Sequence, residues 1–221
     1  MRAAVLFSGG KDSCLALFKA REQGYEIKYL LSIIPSSYDS YMYHKPSLEL
    51  LKRQAKELSI PLIIQKSSAG KEKELKDLEK ILKKVKDKVE ALVIGGIASN
   101  YQAERIKKLA EKHDLKVISP LWTYNPEKLW QELLKNKFKV VITKIACDGI
   151  PKEFLGKIID EKILEQLKEL SKRYKFDLSF EGGDAETAVL FCSLFKKEIK
   201  LESTIKSESK YRHFLIIKKV I

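Results

Sequence analysis

The chain has 221 residues, 44% of them apolar and 33% charged, and carries a formal net charge of +13. That length and apolar share predict a soluble globule with a sizeable core, as one large α/β domain or two small ones. Three widely spaced cysteines, Cys14, Cys147 and Cys192, exclude a disulfide framework and a C-x-x-C metal or redox site. No apolar run approaches the roughly 20 residues that span a membrane. The chain enters its first apolar run at once, so no signal peptide is expected and the cytoplasm is the expected compartment. The positive charge has two readings, a nucleic-acid partner or a lysine-rich solvated surface of the kind found in hyperthermophiles. Lys71, Lys73, Lys76, Lys80, Lys83 and Lys84 are spread among glutamates along one segment, which favours the surface reading.

Ala3-Ala4-Val5-Leu6-Phe7 is a continuous apolar run, the pattern of a buried parallel strand. Cys14 to Ala20 are good helix formers, ending near Gly24. Between them lies Ser8-Gly9-Gly10-Lys11-Asp12-Ser13, a strand-to-helix turn. Two glycines let the backbone bring its N–H groups close to an anion, and the helix that follows adds a positive dipole end. Lys11 adds a point charge and two serines add hydroxyls. A carboxylate at Asp12 suits phosphate chemistry when a magnesium ion lies between them, and is otherwise a favoured helix cap. The spacing is neither the G-x-x-x-x-G-K-[ST] loop nor the G-x-G-x-x-G fingerprint.

Glu26 to Ile34 reads as the second strand, stopped by Pro35, with the backbone around Ile34 a candidate reader of an adenine edge. A polar and aromatic loop follows, from Ser36 to Lys45; His44 in it is a candidate substrate or phosphate contact, or simply a loop histidine. Pro46 to Ser59 is helical, with Leu48, Leu51, Ala55 and Leu58 on one face, and Ile60 to Ile64 is the third strand. Gly70 to Lys88 is an amphipathic helix burying Leu75, Leu78, Ile81, Leu82 and Val85. Ala91 to Ile94 is the fourth strand, running into Gly95-Gly96. If it lies beside the first, small residues there leave room for a nucleotide at the switch point. Ile97 to Gln102 leads into a helix from Ala103 to His113, and Leu115 to Ile118 is the fifth strand.

After Pro120-Leu121-Trp122 the pattern restarts, which divides the chain into 1–122 and 123–221. Helices are expected over Pro126–Asn136 and Asp160–Tyr174, and strands over Phe138–Ile145, Val189–Phe195, Glu198–Ile205 and Lys210–Val220, the last two as an antiparallel hairpin. Glu181 to Thr187 reads as a glycine-paired turn with acidic flanks, whose like charges repel unless a cation sits among them.

The Ser8–Ser13 loop resembles that of the ATP pyrophosphatases, the PP-loop enzymes. The resemblance narrows when the whole chain is considered. Ser8–Ser13, Tyr41-Met42-Tyr43-His44, Ser99–Gln102 with Arg105, Pro120-Leu121-Trp122, Leu155-Gly156 and Glu181-Gly182-Gly183 with Glu186-Thr187 stand in the order seen in the diphthine–ammonia ligase family. Two segments depart from it. The family usually has Glu and an aromatic at the Asp184-Ala185 positions, and tends to have Asp and Pro before the Leu-Phe that here follows Phe191-Cys192-Ser193.

The resemblance implies a parallel five-stranded, Rossmann-like domain of the adenine-nucleotide alpha-hydrolase kind, followed by a smaller α+β domain that binds substrate. It implies that ATP, ammonium and the diphthine carboxylate on translation elongation factor two give diphthamide, AMP and pyrophosphate. ATP would lie on Ser8, Gly9, Gly10, Lys11, Asp12, Ser13, Ile34, Gly95 and Gly96. Lys11 and Asp12 would be catalytic, with Asp12 the Mg²⁺ ligand, and Glu186 catalytic on the substrate side. His44, Tyr101, Gln102, Arg105, Glu181, Gly182, Gly183, Glu186 and Thr187 would bind substrate. The bland alternatives are a strand–helix junction for Tyr101, Gln102 and Arg105, surface charge for Glu181 and Glu186, and a small core residue for Cys14. A tRNA-modifying PP-loop enzyme and a non-catalytic ATP or AMP sensor are the rival functions. No Cys/His glutaminase arrangement is evident, so free ammonium is expected. The sequence leaves a homo-oligomer open.

Overall fold

The computed structural model describes residues 1–35, 47–67, 71–96, 100–122 and 124–221, with residues 71–74 and 100–103 described by their backbone alone. The chain forms two compact units, Met1–Thr123 and Tyr124–Ile221. No helix among the described residues is long and apolar enough to cross a membrane.

The first unit is a parallel sheet with helical crossovers. Its strands are β1 (Arg2–Leu6), β2 (Glu26–Pro35), β3 (Leu62–Ser67), β4 (Ala91–Val93) and β5 (Lys116–Ile118). Their order across the sheet is β3-β2-β1-β4-β5, with every neighbouring pair parallel. The intervening helices are α1 (Lys11–Glu22), α2 (Leu48–Leu58), α3 (Lys71–Lys83) and α4 (Asn100–Glu111). The 3.6-residue spacing of Leu78, Ile81, Leu82 and Val85 puts one stripe of α3 and its following turn against the sheet. These side chains cluster with Ala4, Leu31, Ile33, Leu92 and Ile94, and with Ala110 and Leu115 from α4 and its exit. Alternate strand residues Ala3, Val5, Leu30 and Val93 point to the other face and are equally buried. Strand order reverses between β1 and β4, which makes the carboxyl end of β1 the topological switch point.

Boundaries moved where hydrogen bonding overruled composition. α1 begins at Lys11 rather than near Cys14, so half of the glycine-rich motif is helix. α2 buries Leu50, Leu51, Gln54, Ala55, Glu57 and Leu58, while Leu48 is exposed. Ser47 caps it by accepting from Leu50 N at 3.4 Å. Ile60 N still donates to Ala55 O, completing the helix exit, so β3 starts later than its apolar run and continues to Ser67 opposite Pro35.

The second unit holds a four-stranded antiparallel sheet in the order β7-β6-β9-β8. Its strands are β6 (Lys139–Ile145), β7 (Ala185–Phe191), β8 (Leu201–Ser207) and β9 (His213–Val220), with helices α5 (Pro126–Lys135) and α6 (Glu161–Tyr174). Asn125 and Asp160 cap these helices, accepting from Lys128 N and Ile163 N at 2.8 Å. Trp130 is fully buried; its indole N–H donates to Leu178 O at 2.8 Å, and its ring meets Phe180 edge-on at 5.8 Å. β8 and β9 form the expected hairpin. β7 starts four residues earlier than expected, because Ala185 and Glu186 are already laddered to Ile145 and Lys144 of β6.

Candidate active site

The Ser8–Ser13 loop leaves the carboxyl end of β1 and closes on itself. Gly10 is the N-cap of α1, and no side chain caps that end. Ser13 Oγ donates to Gly10 O at 3.2 Å, accepts from Ser8 N at 3.3 Å and lies 3.1 Å from Ser8 Oγ. Gly9 has φ +76°, a conformation that costs a residue with a Cβ. The first-turn N–H groups of α1 are therefore presented at the switch point with the helix dipole behind them.

Lys11 is 2% exposed and its ammonium lies 3.0 and 2.8 Å from the two carboxylate oxygens of Asp12. Asp12 keeps 28% of its side chain exposed. Because Gly10 takes the N-cap position, Asp12 sits in the first turn of the helix as one half of an ion pair rather than as its cap. A buried ammonium is strongly favoured to keep an anion near it, so phosphate oxygens arriving at this end meet a held positive charge. Among the described residues no three His, Cys, Asp or Glu side chains gather as a metal cage. One partly exposed carboxylate fits Mg²⁺ nonetheless, since that ion is commonly held by one or two carboxylates together with substrate phosphates and water.

Gly95 meets the loop, but not as expected. A Cβ there would lie 2.7 Å from Ser13 N, 2.8 Å from Asp12 C and 2.9 Å from Asp12 O. The backbone of α1 fills that space, so glycine at 95 permits close packing of β4's exit against α1 and opens no room at that point. Among the described residues, a Cβ at Gly96 meets nothing within 4 Å.

The backbone around Ile34 turns alternately to two sides. Leu30 N donates to Pro61 O next to β3, whereas Leu31 O accepts from Phe7 N at the end of β1. Strand residues alternate in the side to which their N–H and C=O turn. Ile34 therefore turns to β3, opposite Lys66, and Ile33 turns to the side that β1 has vacated.

In the second unit, Glu181-Gly182-Gly183 is a 3₁₀ turn, with φ of +80° at Gly182 and +94° at Gly183. Glu186 and Thr187 lie in β7 and not in that turn. The Glu186 carboxylate accepts from Lys144 Nζ at 2.8 Å, the two side chains being 15% and 14% exposed. Asp184 accepts from Asp177 N at 2.9 Å. Two of the three carboxylates in this segment are thus met within the protein, by a lysine and by a backbone N–H. Tyr101, Gln102 and Arg105 lie on the first two turns of α4, with Arg105 half-buried; the side chains of Tyr101 and Gln102, and the whole of His44, are outside the described residues. Cys14 is 3% exposed, the small core residue of the bland reading.

Sequence reasoning missed Gln54. Its side chain is 1% exposed and its Nε2 donates to Gly9 O at 2.9 Å, reaching the loop from α2. The available signal was an amide in the apolar stripe Leu51, Gln54, Ala55, Leu58.

A parallel 3-2-1-4-5 sheet with a glycine-rich loop, a buried lysine and a helix N-terminus at its switch point defines a nucleotide-binding α/β protein. Comparison with known proteins narrows the class. Residues 1–117 match the Diphthamide synthase N-terminal domain and residues 125–221 the Diphthamide synthase C-terminal domain. The chain is 34% identical over 226 residues to the diphthine–ammonia ligase of Bos taurus, covering 92% of this chain and 84% of that one. It is 31% identical over 219 residues to that of Schizosaccharomyces pombe, covering 91% of this chain and 36% of the longer relative. This chain belongs to the diphthine–ammonia ligase family. Among solved structures it is similar to a predicted subunit of tRNA methyltransferase from Methanocaldococcus jannaschii, at 19% identity and a TM-score of 0.46 over 90% of this chain and all of that one.

Proposed function

We propose that this chain is an ATP-dependent ligase that joins ammonia to the carboxylate of diphthine, with elongation factor two as the protein bearing that residue. The observation that carries the reading is the buried Lys11, paired with Asp12 at the α1 N-terminus, in a chain whose two units each match a diphthamide synthase domain. A carboxylate does not react with ammonia at neutral pH, because its carbonyl is resonance-stabilised and its leaving group is poor. Attack of a carboxylate oxygen on the α-phosphorus of ATP forms an acyl-adenylate and breaks the bond to pyrophosphate. Ammonia then adds to the acyl carbon, loses a proton, and AMP departs.

Lys11 and the first-turn N–H groups hold the β- and γ-phosphates and offset the charge that grows on the departing oxygen. The Gly9–Gly10 backbone allows that close approach, and the Ser8–Ser13 hydroxyl contact keeps the loop in shape. Ile33 offers its backbone to the adenine edge, and Gly96 leaves room for the nucleotide. Mg²⁺, held through Asp12, would supply further neutralisation of the phosphates. Glu186, with Lys144 beside it, belongs to the substrate-binding part, together with Glu181 and Thr187.

The test is incubation with ATP, Mg²⁺ and ammonium, with and without diphthine-bearing elongation factor two. AMP and pyrophosphate are followed by chromatography and the factor by mass spectrometry. Diphthamide formed together with AMP and pyrophosphate supports the reading. Release of ADP and phosphate, or AMP release with no change to the factor, would refute it.

A further inference from the structure

We propose that Gln54 is a positioning residue for the phosphate loop, its amide setting the peptide between Gly9 and Gly10 so that the Gly10 N–H faces the terminal phosphates. The inference rests on the nucleotide reading above. Gln54 Nε2 donates to Gly9 O at 2.9 Å from a helix 45 residues further along the chain. Its Oε1 lies 2.1 Å from where a Cβ on Gly9 would stand, so the amide lies directly against a residue that must be glycine. Burying an amide in an apolar helix face is costly unless it is hydrogen-bonded, and this one spends a donor on the loop.

The consequence follows from peptide geometry. The bond is trans, as throughout the described residues. In a trans peptide the C=O and the following N–H point in opposite directions. A Gly9 carbonyl drawn towards α2 therefore turns the Gly10 N–H away from α2. Among the described residues that N–H makes only a long contact of 3.4 Å, to Ser8 Oγ, which leaves it available to an anion. Without Gln54 the peptide can rotate and the donor is no longer aimed.

The experiment compares wild type, Gln54→Met, which keeps length and helix propensity but removes the donor, and Gln54→Glu, which keeps the shape and puts an acceptor against Gly9 O. Binding of Mg²⁺–ATP, Mg²⁺–pyrophosphate and AMP is measured by calorimetry. Both variants should lose about tenfold or more in affinity for ATP and pyrophosphate, ~1.4 kcal/mol, and keep AMP affinity within about twofold. A merely structural role would weaken all three ligands together, and that result would overturn the proposal. So would unchanged pyrophosphate binding in a folded variant. A measurement on the wild-type protein needs no variant: pyrophosphate should slow hydrogen exchange at the Gly10 amide, and no change there would overturn the proposal too. Wild type that binds neither ATP nor pyrophosphate would bring down the nucleotide reading itself, a result distinct from normal wild-type binding with indifferent variants.

Discussion

Replacing Gly95 by alanine places a methyl group where α1 already stands. The three nearest atoms, at 2.7, 2.8 and 2.9 Å, are all backbone atoms of Asp12 and Ser13. No side chain can swing away, so β4's exit and the first turn of α1 must separate by several tenths of an ångström. Overpacking of this kind costs roughly 1–3 kcal/mol. In a chain of this length that corresponds to a fall in Tm of roughly 3–10 °C. The same displacement moves the N–H groups and Lys11 relative to the phosphates, and AMP formation should fall roughly 10–100-fold, the scale of small misplacements in oriented sites. Gly96→Ala is the internal control for stability: among the described residues its methyl meets nothing within 4 Å, so unfolding should change by no more than about 0.5 kcal/mol. Calorimetric unfolding and an AMP assay on both variants test the argument. A Gly95→Ala protein as stable and active as wild type, or a Gly96→Ala protein destabilised as much as Gly95→Ala, would refute it.

Lys11→Ala should keep the circular-dichroism spectrum and lower AMP formation ~100-fold, as for loss of one oriented charge stabiliser; an unchanged rate would remove Lys11 from the mechanism. Glu186→Gln should leave ATP binding by calorimetry intact and weaken amidation by roughly 1.5–3 kcal/mol. It should also destabilise, because Lys144 loses its charged partner. Adding Lys144→Met should recover stability but not amidation, and recovery of both would make the pair scaffold. Burial, with the carboxylates of Asp184 and Asp148 nearby, pushes the Cys147 thiol from 9.0 up to about 11. The folded state therefore holds this proton where the unfolded chain has lost it. The associated stability is complete below pH 9.0 and lost as pH rises towards about 11. Alkylation of Cys147 by iodoacetamide should accordingly be slow at pH 8 and rise with a midpoint near 11, and a midpoint below 9.0 would contradict this account.

The elements and the family were legible in the sequence because each depends on information local to a short stretch. Ala3 to Leu6 is apolar on both faces and had to be a covered strand; Leu78, Ile81, Leu82 and Val85 repeat with the helical period; the segments from Ser8 to Thr187 stand in a family order. Tertiary structure decided what the local pattern cannot encode. Whether Glu186 lies in a turn or a strand depended on Lys144 arriving opposite it, 42 residues away in the chain. Whether Gly95 makes space or fills it depended on the approach of the α1 backbone. Which peptide around Ile34 faces the switch point depended on hydrogen-bond direction, set by which strand lies on which side, and it is that of Ile33. Gln54 drew no reading from the sequence, because its partner Gly9 comes to its amide only in the folded chain. Periodicity records that a residue is buried; only the partners brought to it by the folded chain determine what its polar atoms do.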